Sequence, residues 1–138
     1  MKLLTKNSDY AIRALIYLAR RPGLFISSRE IAAAEDISVL FLRRILNTLL
    51  RHQLIASREG VNGGVKLTAE PKNISVAQLL RMFQGPIQLS QCLFRKRLCS
   101  HGGNCALRRR IRHVEALVAE EFEQITIQTL LDDLRGGT

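Results

Sequence analysis

Residues 38–52 constrain this chain more than any other stretch, because they put two opposed faces on one helix. At 100° per residue, Leu42, Ile45, Leu46, Leu49 and Leu50 share an arc of about 140°. Arg43, Arg44, Asn47 and Arg51 share a separate arc of about 100°, with Leu40 among them. The first face has to be buried; the second has to stay wet or meet a polyanion. Ser38 supplies an N-cap. Upstream, Ser27 and Glu30 have capping-box spacing, which predicts a short helix over 28–35 and a connector of Asp36, Ile37 and Ser38. A short helix, a three-residue turn and a helix with a cationic front predict a helix-turn-helix.

The next segment extends that reading. Residues 54–58 and 65–68 read as two short strands joined by Glu59-Gly60-Val61-Asn62-Gly63-Gly64. Three glycines and an asparagine offer the positive φ values that a tight hairpin needs. A hairpin placed directly after a recognition-type helix is a wing. Before the pair of helices, Ser8 and Asp9 mark the start of a nearly all-round apolar helix over 10–19, ended by Arg20-Arg21-Pro22-Gly23. After the hairpin, Pro71 breaks the chain, Ser75 caps a helix over 76–83, and Gly85-Pro86 ends it.

Beyond residue 105, Leu107, Ile111, Val114, Val118 and Ile125 recur at near-heptad spacing, and Leu117 and Phe122 widen the stripe. The body is too small to cover so long a helix, so a dimerisation helix is expected, followed by a short terminal helix over 129–134. The expected fold is mostly α with a small β wing. Residues 1–85 form a winged helix-turn-helix domain, 86–105 a cysteine-rich loop, and 106–138 the dimerisation helix and terminal helix.

Charge points the same way. Residues 1–114 carry 20 Lys/Arg against 6 Asp/Glu, and residues 115–138 carry 1 against 6. A basic body with an acidic tail suits a polyanionic partner. No stretch has the roughly 20 apolar residues of a membrane span, so a cytoplasmic protein with no membrane partner is expected. No nucleophile-and-base set or phosphate loop is present, which argues against an enzyme.

All three cysteines, Cys92, Cys99 and Cys105, fall between residues 92 and 105. An odd number argues against a structural disulfide framework. Structural zinc sites usually pair cysteines two to four residues apart, and this loop contains no such pair. A larger iron–sulfur cluster accepts ligands from a longer loop. Arg95, Lys96, Arg97 and the Gly102-Gly103 turn can supply positive potential and N–H groups toward the sulfurs. An iron–sulfur cluster, [2Fe–2S] or [4Fe–4S], is the leading reading. A metal-free thiol switch and a zinc site are the alternatives, and His101 is a local candidate for a fourth ligand.

Taken together, residues 4–15, Ile37-Ser38, the wing sequence 60–64, the three-cysteine loop and the long helix resemble the IscR/NsrR group of the Rrf-two family of bacterial winged-helix repressors. The resemblance runs nearly end to end. It implies a homodimer whose crossed long helices set two winged helices on an inverted-repeat operator, with an iron–sulfur cluster in each cysteine loop. In the IscR branch the fourth ligand is a histidine three residues after the last cysteine; Arg108 stands there, which excludes that mode. In the NsrR branch it is an aspartate from the partner's first helix, and Asp9 occupies the matching place. The family's wing arginine precedes the first wing glycine. Here that position is Glu59, with Arg58 one place earlier.

On this reading Ser38 meets a phosphate or base edge, Leu40 a thymine methyl, and Arg43 or Arg44 a guanine, with Asn47 on the same face. Arg51 and Lys66 meet phosphates, and Arg58 takes over in the wing. Two other readings compete. One is a cluster-free redox- or metabolite-responsive regulator of the same fold. The other is a zinc-binding or cysteine-desulfurase-associated adaptor, on which the arginines are only surface charge.

Overall fold

The computed structural model describes residues 3–89 and 105–137; Cys92, Cys99 and His101 lie outside them. The elements are α1 (Lys6–Ala19), α2 (Ser28–Glu35), α3 (Val39–Arg51), β1 (Ile55–Arg58), β2 (Gly64–Leu67), a 3-10 turn at Pro71–Asn73, α4 (Val76–Gln84), α5 (Ala106–Gln124) and α6 (Ile127–Gly136). Helix α1 is the hub, in contact with α2, α3, α4, α6 and β2. Its small residues Ala11 and Ala14 have no exposed surface and allow these neighbours to approach closely, while Leu15 and Leu18 fill the centre.

Helix α1 begins earlier than its apolar run implies. Thr5 is the cap, accepting a hydrogen bond from the Ser8 N–H at 3.3 Å. Ser8 is therefore inside the helix, fully buried, and its hydroxyl donates to Gln84 Oε1 at 2.8 Å. The same Gln84 oxygen accepts from the Thr5 N–H at 3.2 Å, and its Nε2 donates to the Leu3 carbonyl at 2.8 Å. One amide at the end of α4 thus fastens the start of the chain. Gln84→Leu is expected to cost about 1–3 kcal/mol, since it removes the stronger partner of a buried hydroxyl and leaves the Thr5 N–H and Leu3 carbonyl without theirs; a lowered urea midpoint at unchanged slope checks this.

The capping box at α2 is half formed. Ser27 accepts from the Glu30 N–H at 3.1 Å, but the Glu30 carboxylate receives the Tyr17 hydroxyl at 3.0 Å instead of reaching back. A phenol brought in by α1 outcompetes the local partner. Asp36 turns the chain with φ 53°, and α3 follows with Leu42, Ile45, Leu46 and Leu49 buried, as the wheel requires. Leu50, at the edge of the arc, is half-buried.

Strands β1 and β2 pair antiparallel, with Ile55 opposite Leu67 and Arg58 opposite Gly64. A third backbone segment joins them. Ile26 and Val65 exchange two N–H···O bonds of 2.8 Å each, which ties the wing to the α1–α2 connection. A single bridging residue has no alternating pattern, so it left no sign in the sequence.

The chain end departs most from expectation. Helix α5 stops at Gln124, and Ile125 is extended, its carbonyl accepting the Val76 N–H at 2.7 Å. The Ile127 N–H in turn donates to the Ile74 carbonyl at 2.9 Å. Ile125 therefore leaves the heptad stripe. Thr126 and Thr129 form a capping box for α6, a ten-residue helix that buries Ile127 and Leu131 beside α1. By packing, the last helix lies against α1 and shares the core of the winged-helix body. Nor is α5 wholly without intramolecular cover: Glu123 pairs with Arg81 at 3.3 Å and accepts from Ser75 Oγ at 3.2 Å, and Glu115 accepts from the Leu89 N–H at 3.0 Å. No helix among the described residues is long and apolar enough to cross a membrane.

Candidate nucleic-acid interface and sensor site

Helix α3 presents its cationic front to solvent. Ser38 Oγ is committed as the cap, accepting from the Phe41 N–H at 3.3 Å, so only its hydroxyl hydrogen remains for an outside acceptor. Leu40, one residue into the first turn, is 72% exposed. Arg43 Nε donates to Ser28 Oγ at 3.4 Å, and Arg51 donates to Thr48 Oγ1 at 3.3 Å. Arg44 and Asn47 are exposed. Among the described residues, no carboxylate forms an ion pair with Arg43, Arg44 or Arg51. Three unneutralised guanidiniums along one helix face repel each other unless an anion is brought to them.

The wing adds two more cations. Ile55 and Val65 point into the core, so the opposite pleat carries Arg58 and Lys66 outward. Arg58 donates to the Asn62 carbonyl across the hairpin at 2.7 Å, and its guanidinium lies 4.1 Å from the Phe25 ring centre. The Lys66 ammonium is 4.9 Å from the same ring centre. Val61 at the wing tip is fully exposed. Phe25 is hard to single out from sequence. Its signal is weak: one aromatic in a connection, out of phase with the buried Ile26.

Two of the proposed sensor residues are described. Asp9 sits in the first turn of α1, its carboxylate about half exposed and 3.1 Å from Arg13 Nε. An exposed pair of this kind holds weakly, so the carboxylate can exchange partners. Cys105 is half-buried, has no disulfide partner among the described residues, and forms the N-cap of α5. The first-turn N–H groups and the dipole of that helix end favour an anion held there. A sulfur donor at a helix start and an exchangeable carboxylate are donor chemistry that iron accepts. Among the described residues, no three His, Cys, Asp or Glu side chains gather into a metal site. On α5 itself, Leu107, Val114 and Leu117 are 68%, 45% and 51% exposed, an apolar stripe that the body leaves uncovered.

A family model described as an iron-dependent transcriptional regulator, Rrf2, matches residues 4–133. The chain belongs to the Rrf2 family of transcriptional regulators. These are regulators rather than enzymes. The transcriptional regulator NsrR of Shouchella clausii (strain KSM-K16) is 31% identical over 137 residues, covering 96% of this chain and 92% of the relative. The fold matches CymR, the global cysteine regulator of B. subtilis, at a TM-score of 0.78 and 23% identity, covering 96% of this chain and 98% of that one. It matches T. potens IscR at a TM-score of 0.78 and 21% identity, covering 100% and 92%. The winged-helix architecture expected from residues 27–68 is therefore the family's fold.

Proposed function

We propose that this Rrf2 regulator is a cytoplasmic homodimeric repressor that binds an inverted-repeat operator and senses redox, nitric oxide or iron–sulfur status through an iron–sulfur cluster. The observation that carries DNA binding is the unneutralised arginine face of α3 beside the Arg58 and Lys66 face of the wing. In the groove, Arg43 or Arg44 reads guanine, Asn47 lies beside them and Leu40 covers a thymine methyl. Ser38 meets a phosphate or a base edge, Arg51 and Lys66 hold phosphates, and Arg58 serves the wing.

Dimerisation through α5 is supported by its charge layout as well as by its apolar stripe. Arg108, Arg109, Arg110 and Arg112 lie in its first half, and Glu115, Glu120, Glu121 and Glu123 in its second. That order runs against the helix dipole, but an antiparallel crossing sets each half against its opposite in a second copy.

Cys92, Cys99 and Cys105 would hold the cluster, with Asp9 of the partner subunit or His101 as fourth ligand. When bound, a cluster supplies iron that reacts with oxidants and nitric oxide. The chain's own part is to give it an exchangeable ligand: among the described residues the Asp9 carboxylate is held only by Arg13, so it can be taken up or released. The cysteine loop leaves α4 at Gly85 and re-enters at Cys105, so it connects the DNA-reading body to α5. A change of ligation there alters how the two are joined.

The test is anaerobic absorbance with iron and sulfide counting, repeated on Asp9→Ala and His101→Ala. A coloured, iron-containing protein whose spectrum changes in one variant is expected. Unchanged spectra in both would reject both fourth ligands. A colourless, iron-free protein with full operator affinity would favour the second reading, a thiol-responsive regulator. That reading draws on the half-exposed Cys105 and on the B. subtilis neighbour described as a global cysteine regulator. Operator affinity that does not fall with rising salt would reject the DNA reading.

A further inference from the structure

We infer that Phe25 is a positioning residue of the wing, whose ring holds both Arg58 and Lys66 in the poses in which they meet the DNA backbone. The inference rests on the DNA reading of the wing. It starts from Gly64, which lies between Arg58 and Lys66 on the outward pleat and has no side chain. A Cβ there would collide with the Ile26 carbonyl, so the glycine is what lets the α1–α2 connection lie against the hairpin. Ile26 then bonds to Val65 in both directions and turns its own side chain into the core. Its neighbour Phe25 is left against the cationic face.

The result is one ring under two cations, at 4.1 Å for the guanidinium and 4.9 Å for the ammonium. Arg58 is further held by its 2.7 Å bond to the Asn62 carbonyl. Stacking occupies the face of a guanidinium and leaves its in-plane N–H groups free for an anion. The ring therefore fixes the two long side chains without using up the donors that phosphates need. It also keeps two like charges at one ring, an arrangement that two free side chains would avoid and that a polyanion rewards. Phe25, Arg58, Asn62 and Lys66 line one groove between the hairpin and the α1–α2 connection, so they form a single surface.

The test is a cycle of variants on the full chain, with operator affinity measured at several salt concentrations. Phe25→Leu is expected to weaken binding about 5–10-fold, and Phe25→Tyr to restore it, because a ring suffices. In an Arg58→Ala/Lys66→Ala background, Phe25→Leu is expected to have no further effect. An equal loss in that background would mean that Phe25 acts through the fold, and would overturn the inference. Unchanged affinity in Phe25→Leu, with the double variant weakened, would overturn it while leaving the wing's role intact. If the double variant binds as tightly as the parent with an unchanged salt dependence, the wing reading itself fails.

Discussion

Val114→Glu combined with Leu117→Glu is expected to yield a folded monomer that binds the operator about 100-fold or more weakly. Both side chains are about half exposed on α5, and this helix has no buried residue. The substitutions therefore cost the isolated fold little, since surface changes usually stay within about 0.5 kcal/mol. In an antiparallel pair the same positions lie near the crossing, where four new carboxylates would be desolvated and close together. A regulator that reads two half-sites gains about 10²–10⁴ in avidity from linking them, and a monomer forfeits that gain. Sedimentation and operator titration together check both parts. A persistent dimer would move the subunit interface away from α5. A monomer with full affinity would remove the need for a two-fold operator.

Gly64→Ala carries the largest expected effect on the fold, a loss of about 2–4 kcal/mol in unfolding free energy. Its φ is 148°, in the region that side chains avoid, and the added methyl would strike backbone atoms of Ile26 and Ser27. Neither segment can yield, because Ile26 is paired with Val65 by two hydrogen bonds. Gly60→Ala is the control: φ is positive there too, at 105°, but the space is open, so only the conformational strain of about 1 kcal/mol remains. Chemical denaturation of the two variants separates collision from strain. Equal losses would show that the close approach of Ile26 to the hairpin contributes nothing.

The family match and the fold bear out much of what the residues announced, and the reason is that those parts are locally encoded. The two-faced helix 38–52 carries its burial pattern at helical spacing, so α3 buries the residues that its wheel singles out. The Gly-rich turn and flanking strands wrote the hairpin into one continuous stretch, and Ser27, Ser38 and Ser75 cap the helices they precede. Some features were decided across the chain instead. Glu30 left its capping box for Tyr17, and Ser8 became a buried partner of Gln84, 76 residues away. Ile125 left the heptad stripe because Val76 claimed its carbonyl, which carried α6 into the core. Phe25 acquired its two cations only because Gly64 let its segment approach the hairpin. Periodicity, caps and turn residues act within a few positions and can be read from order alone. Which donor meets which acceptor at long range is settled by packing, where several partners of similar strength compete and geometry selects one.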